Sequence, residues 1–384
     1  MGYVVDKWTD PAPAGGRRPR NNRWGHGRRW LARWTDPDGH TRSRAFASKD
    51  AAEAHLTEQE TRARSGLWVA PSKTTFRELA ETWLVEQVHL RDSSAAGAAY
   101  RLRSSYDDLG DRRISDITRG DVQALVVAQS KTLAPATVHL TYTYVAAVLE
   151  HAARDRLIAK SPCQGVKLPK VDKPPVAPLT PEQVWTVADR MIDEHTKNGR
   201  RLGHFRAMIL VGAATGLRPG ELRGLTWDRV TKNGIRVDRQ LTPASGAVPV
   251  FGPPKTESSV RTVPLAASTR TLLERLHEER GEGPERLVFF RPPNAALTRT
   301  SLQYAWEVAT EGMGLPDRSG WHMLRHHHAS LLIAAGLSPR AVADRLGHKD
   351  VAETLRTYSH LWPTDQERAL AAIEDVYGGL REVA

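Results

Sequence analysis

Arginine, lysine, histidine and tyrosine recur in the C-terminal half of this sequence in five short stretches whose residue types invite a chemical reading. Ala214-Thr215-Gly216-Leu217-Arg218-Pro219-Gly220-Glu221-Leu222 sets a guanidinium one turn before a carboxylate. Gly252 to Leu265 is a Gly/Pro loop carrying Lys255 and Arg261. His322-Met323-Leu324-Arg325-His326-His327-His328-Ala329 brings imidazoles around a second arginine, and Leu346-Gly347-His348 and Tyr358-Ser359-His360 follow. A guanidinium grips phosphate or carboxylate through paired N–H donors. An imidazole moves protons or ligates metal. A phenol becomes a nucleophile only where its proton is drawn off, which a cationic phosphate pocket favours. Read singly, each residue has a plainer account. Arg218 suits a helix start paired with Glu221, and a lone Tyr358 suits packing. His322 and His326, one helical turn apart, suggest metal ligands, but the zinc-protease pattern needs a Glu between them and finds Met323, Leu324 and Arg325. The run His326-His327-His328 fans out at about 100° per residue, so its rings do not share a face. Arg325 also repels a cation, and no metal is expected.

In order, and for the last three in spacing, these stretches resemble the boxes of the tyrosine recombinase (phage integrase) family. The chain resembles in particular the integrase subgroup with an N-terminal arm-binding domain. The resemblance implies an enzyme that cleaves and rejoins DNA through a 3′-phosphotyrosine, which conserves the bond energy and needs no metal, ATP or other cofactor. It makes Tyr358 the nucleophile and Arg218 and Arg325 the clamp on the scissile phosphate. His322 would assist proton transfer or orientation, and His348 would hydrogen-bond a phosphate oxygen. Lys255 would be the general acid for the leaving 5′ oxygen; Lys232 fits that role less well because it precedes the first strand. Glu221 would support the pocket, and Arg261 would contact backbone phosphate or serve structure. The implied partners are double-stranded DNA at core-type and arm-type attachment sites, a homotetramer on DNA, a host DNA-bending protein and a directionality factor. The implied task is integrating or excising a phage or mobile element. A chromosome or plasmid resolvase shares the chemistry but generally lacks the arm-binding module. A type IB topoisomerase shares the nucleophile but not the three-domain layout. A silent DNA-binding regulator is expected to have a broken pocket, whereas this set is complete, and a metal hydrolase lacks its carboxylate.

Bulk properties agree with a polyanionic partner. Among 384 residues, 55 Lys/Arg stand against 44 Asp/Glu, and phosphate contacts dominate nucleic-acid affinity. Cys163 is the single cysteine, which excludes an internal disulfide framework or Cys-based zinc site. No stretch approaches a membrane span or a signal-peptide core, so the expectation is a soluble protein of a bacterial cytoplasm, associated with the nucleoid and not with membrane.

The elements that must position these residues fall into a multidomain α+β arrangement. Residues 1–64 read as an arm-type DNA-binding module of small sheet plus helix, with a flexible basic N-terminus to about 28. Trp30, Ala32 and Trp34 alternate on one strand face, Asp36-Pro37-Asp38-Gly39 turns, Thr41 to Phe46 returns, and Ser48 caps a helix to Arg64. Residues 1–49 hold 11 Lys/Arg against 4 Asp. Arg28, Arg29, Arg33, Arg42 and Arg44 are the candidate DNA contacts of a β-ribbon. Residues 65–75 read as a linker. Residues 76–160 read as a helical-bundle core-type DNA-binding domain, with helices from Phe76 and at about 94–107, 118–129 and 134–156. The proline-rich 161–178 reads as a second linker. Residues 179–384 read as a mainly α catalytic domain with a small antiparallel sheet, strands being expected at 234–241 and 260–265. The family resemblance makes this the tyrosine recombinase fold and makes the apolar stripe Leu370, Ile373, Val376, Tyr377 a tail that docks on a neighbouring subunit; packing within the same chain fits the stripe equally.

Overall fold

A computed structural model of the chain describes residues 2–12, 14, 16–37, 39–64, 69, 72–172, 175–193, 203–242, 248–254, 256–291, 293–316, 319–362 and 366–377. The backbone divides into two units, residues 1–172 and 173–384.

In the first unit, strand β2 (Trp30–Thr35) lies between β1 (Tyr3–Asp6) and β3 (Thr41–Phe46) in an antiparallel sheet. Alternation turns one face of β2 toward helix α1 (Lys49–Arg64): Ala32, Ala52 and Leu56 are buried, with Val4, Trp30, Trp34 and Phe46 packed around them. The residues expected to be flexible to about 28 instead begin with a strand and then fold back. Thr9 bridges Arg20, Asn21 donates to the Lys7 carbonyl, and the Trp8 indole donates to the His26 carbonyl at 3.1 Å. The physical reason is Asp6, buried at the end of β1, whose carboxylate accepts from Arg29 at 2.8 Å. That hydrogen bond from Arg29 holds the Asp6 carboxyl down at about 2.

Helices α2 (Phe76–Glu86), α3 (Asp92–Arg103), α4 (Arg119–Ser130) and α5 (Pro135–Arg154) bury Phe76, Leu79, Trp83, Leu102, Leu125, Val145 and Leu149 together. Two of their starts are written in the sequence as reciprocal caps, Thr75 with Glu78 and Thr118 with Asp121, and Pro135 opens α5. The expected linker at 65–75 lies mostly outside the described residues. The one expected from 161 begins later than its prolines imply. The Tyr142 hydroxyl donates to the Cys163 carbonyl at 2.8 Å, Gln123 bonds the main chain of Lys167 in both directions, and the His139 ring meets the Pro169 carbonyl. Cys163 is itself buried in the helical core.

In the second unit, α6 (Pro181–Asp193), α7 (Arg206–Thr215), α8 (Pro219–Arg223), α9 (Ala267–Arg280), α10 (Arg299–Thr310) and α11 (His322–Ala334) contribute to one apolar core. Met191, Met208, Ile209, Leu273, Phe289 and Trp306 lie at its heart. Strand β5 (Gly234–Val237) pairs with β4 (Val230–Thr231) on one side and β8 (Arg261–Val263) on the other, while β6 (Gln240–Leu241) pairs with β7 (Phe251–Gly252) and β9 (Phe290–Arg291) with β10 (Ala295–Ala296). The single strand expected at 234–241 breaks where Asp238 pairs with Arg229 and Arg236. Helices α12 (Pro339–Leu346) and α13 (Val351–Tyr358) pack on α11 through Ala329, Ile333, Val342, Leu346 and Tyr358, and α14 (Gln366–Tyr377) follows. Among the described residues no helix is long and apolar enough to cross a membrane.

Candidate active site

Two glycines in the motifs set the frame. Helix α7 ends at Gly216 with φ +66, where a Cβ would lie 2.7 Å from the His328 ring. Helix α12 ends at Gly347 with φ +68, where a Cβ would lie 3.0 Å from Arg261. Both are left-handed caps that only glycine fills without strain. They turn the last carbonyls of two helices toward one place, and those carbonyls carry the negative end of each helix dipole.

The two arginines take these carbonyls. Arg325, from the first turn of α11 and 1% exposed, donates to the Gly216 carbonyl at 2.9 Å and the Leu346 carbonyl at 2.7 Å. Arg218, at the start of α8, donates to the Gly347 carbonyl at 3.1 Å. It also donates to Glu221 at 3.0 Å and to the Ser259 hydroxyl at 3.2 Å. Glu221 is buried, and its other oxygen accepts from Arg261 at 3.0 Å. Arg261 reaches on to the Arg345 carbonyl. Against the burial that opposes it, the coulombic pull and hydrogen bond of Arg261, then Arg218, keep the Glu221 carboxyl below its ordinary value. Burial and the neighbouring Arg218 push Arg325 down to about 9. Three guanidiniums facing one carboxylate leave the pocket with surplus positive charge, the condition for holding an oxyanion.

The imidazoles differ in setting. His348 follows Gly347, and its Nδ1 lies 2.6 Å from the Thr354 hydroxyl. Burial, then Arg325, Arg218 and Arg261, push it down to about 3, so it is neutral and free to donate or accept a hydrogen bond. His322 stands exposed at the start of α11, its ring edge-to-face with His326 at 4.8 Å. Desolvation, then His326 and Arg325, lower its pKa. Tyr358 ends α13 and is 1% exposed, with its hydroxyl 2.8 Å from His326 Nδ1. Burial pushes the phenol up to about 12 against the pull of Arg325 and Arg218.

Arg218, Glu221, Arg261, Arg325, His348 and Tyr358 therefore surround one region, and His322 borders it. Lys255 lies outside the described residues. Its place in the chain is between β7 and β8, two residues before the short turn Glu257–Ser259, whose Ser259 bonds Thr256 and Arg218. Sequence reading missed Ser259, His326 and Thr354. Of these, only His326 carried a visible signal, adjacent to Arg325 and one turn from His322. Among the described residues no three His, Cys, Asp or Glu side chains gather as metal ligands.

The candidate contacts of the N-terminal sheet do not share one surface. Arg33 is exposed on the face away from α1, while Arg42 and Arg44 are paired in register with Trp34 and Ala32 on the other. Arg29 and Arg42 hold the buried carboxylates of Asp6 and Asp36, Arg28 donates to the Ala45 carbonyl, and Arg44 lies over the Phe46 ring.

Residues 179–364, the stretch that holds this pocket, match the phage integrase family. The chain is 26% identical over 363 residues to a XerC-like tyrosine recombinase of Caldanaerobacter subterraneus, covering 86% of this chain and 90% of that one. Its backbone is similar to that of the Tn1549 transposon integrase, solved in complex with a circular intermediate DNA. That match has TM-score 0.67 and 21% identity, over 79% of this chain and 99% of that one. It is also similar to lambda integrase, solved as a tetramer bound to a Holliday junction, with TM-score 0.59 and 15% identity over 88% and 93% of the two chains. The structural likenesses speak for the fold; the family match falls on the unit with the basic pocket, and the recombinase relative spans both units. Residues 179–364 belong to the phage integrase family, and the sequence and backbone likenesses together support a tyrosine recombinase of the integrase type, a site-specific enzyme that recombines DNA through a tyrosine nucleophile.

Proposed function

We propose that Tyr358 is that nucleophile and that Arg218 and Arg325 hold the phosphate it attacks. One observation carries the reading. The last carbonyls of α12 hold both guanidiniums, and the helix that follows ends in Tyr358, packed against the helix that carries Arg325. A phosphodiester drawn to the surplus charge meets donors already fixed in place, so little reorganisation is left for the transition state. As the tyrosine oxygen bonds to phosphorus, the bond to the 5′ oxygen breaks and negative charge grows on the nonbridging oxygens. The two arginines stabilise that charge, and His348, neutral and anchored on Thr354, donates to one of those oxygens. Lys255, on the same loop as Ser259, gives its proton to the departing 5′ oxygen. The 3′-phosphotyrosine keeps the energy of the broken bond, and the reverse steps rejoin a new strand without metal or ATP.

The partners belong to the same proposal. The helical part of the first unit grips core-type sites and the N-terminal sheet arm-type sites. Four chains exchange strands around a junction, aided by a host DNA-bending protein and a directionality factor, to insert or excise a phage or mobile element in a bacterial cytoplasm. In α14, Leu370, Ile373, Val376 and Tyr377 are 64%, 55%, 69% and 56% exposed, which supports docking of this stripe on a neighbouring subunit. The test is Tyr358→Phe on a nicked suicide duplex carrying the core sequence that flanks the gene. The variant is expected to bind DNA as the parent does and to form no covalent adduct. An undiminished adduct would remove Tyr358 from the chemistry.

A further inference from the structure

The phenol proton needs somewhere to go, and His322, the imidazole marked by the family pattern, does not touch it. The hydrogen-bond partner of the Tyr358 hydroxyl among the described residues is His326, whose Nδ1 lies 2.8 Å away. The rings stand edge to face, with centroids 5.6 Å apart. His348 turns its own Nδ1 to Thr354 at 2.6 Å, and Glu353, on the same helix as Tyr358, is 3.9 Å from His348. His326 therefore has the tyrosine to itself by geometry, and it sits in the helix beside Arg325, which is fixed at both ends of its guanidinium.

Resting on the assignment of Tyr358 as nucleophile, we propose that His326 is the group that takes the phenolic proton. The imidazole carries its own proton on Nε2 and presents Nδ1 as the acceptor of the Tyr358 O–H. As the bond from the tyrosine oxygen to phosphorus forms, the O–H proton passes to Nδ1 and the phosphorus bond to the 5′ oxygen breaks. The leaving oxygen is protonated separately, by Lys255. On rejoining, His326 returns the proton as the phosphorus–tyrosine bond breaks, so the step is balanced in both directions.

The electrostatics give this acceptor a condition for working. Burial and Arg325 keep His326 neutral, pushed down to about 4, which leaves Nδ1 unprotonated but weakly basic. A phosphodiester between the arginines adds negative charge beside the ring and offsets Arg325, and the charge that develops during attack offsets it further. The proton transfer is thus favoured when a phosphate is seated. Tyr358 is 1% exposed, so its hydroxyl must be uncovered before it can meet phosphorus. The proton can pass only if the uncovered hydroxyl stays within hydrogen-bond reach of His326 on α11, where it lies at 2.8 Å in this structure.

The test separates a proton acceptor from a packing residue by changing the acidity of the nucleophile. His326→Asn keeps a hydrogen-bond acceptor in place but cannot take up a proton. On the nicked suicide duplex described above, its rate of adduct formation under single-turnover conditions is expected to fall about a hundredfold, the scale of a lost general base. Its DNA affinity by gel shift should be unchanged. Replacing Tyr358 by a fluorinated tyrosine, whose phenol ionises near neutral pH without help, should shrink that deficit at least about tenfold. A deficit of equal size with both phenols, or no deficit at all, overturns the proposal. Should the Asn variant lose its melting transition, His326→Gln is held to the same two outcomes. Tyr358→Phe runs beside them: an adduct there sinks the nucleophile reading itself, whereas an inactive Phe variant beside a fully active Asn variant sinks this inference alone.

Discussion

Glu221 stands between two guanidiniums, Arg218 and Arg261, buried and accepting from both. Removing one partner of a buried ion pair leaves charge uncompensated, at a cost of about 3–5 kcal/mol. Glu221→Ala is therefore expected to lower stability by about that much in denaturant unfolding, and Glu221→Gln by less because it keeps hydrogen-bonding capacity. An Ala variant as stable as the parent would show that the two arginines do not depend on this carboxylate. Such partnerships mark the limit of what the sequence discloses about single residues. Arg218, His322, Arg325, His348 and Tyr358 stood out because each lies in a short local pattern. Ser259 did not, because its meaning depends on Arg218, 41 positions away, and His326 stood out only as a neighbour of His322 and Arg325, because its partner Tyr358 is 32 positions away. Nor did the alternating arginines of the N-terminal sheet reveal that Arg29 and Arg42 are tied to Asp6 and Asp36, since pairing across strands depends on register.

Among the elements, the long helices were legible, because apolar spacing, caps and Pro135 all point to the same segments. The short strands were less so. Tyr3–Asp6 is four residues long, too short for alternation to show, and it becomes a strand because β2 offers it an edge and Arg29 holds its end. Likewise, Val237 and Gln240 belong to different pairings because Asp238 is claimed by two arginines between them. Proline content overstated the second linker, since prolines in an extended strap are compatible with main-chain contacts such as those of Lys167 and Pro169. The N-terminal sheet and α1 have their own small apolar core, separate from that of α2 to α5. Deleting residues 1–64 is therefore expected to leave core-site cleavage near the parent rate while abolishing binding to arm-type DNA. A truncated protein that still binds arm DNA unchanged would contradict the role proposed for the sheet.

For the whole molecule, the imidazoles couple folding to acidity. His326 and His328 are pushed down to about 4 and His348 to about 3, in each case by burial first. Their ordinary value is 6.5, so the unfolded chain binds protons that the folded chain refuses as pH falls below it. Their contribution to stability is full above about 6.5 and is lost progressively as pH falls toward about 4. The depressed carboxyls of Asp6 and Asp121, at about 2, begin to act only below the ordinary carboxylate range. Thermal unfolding should thus show Tm declining between pH 7 and pH 5, before the carboxylates titrate, and a flat Tm across that interval would mean these rings are not held neutral by the fold. A further consequence lies in the junction of α12 and α13. The carbonyls of Leu346 and Gly347 anchor the two arginines, and only His348, Lys349 and Asp350, the last of them the cap of α13, separate that stretch from the helix bearing Tyr358. Swinging the tyrosine out must tug on the very backbone that aims the guanidiniums. On the roles proposed for Tyr358 and the two arginines, exposing the nucleophile and loosening its phosphate clamp would be a single movement of this short connection.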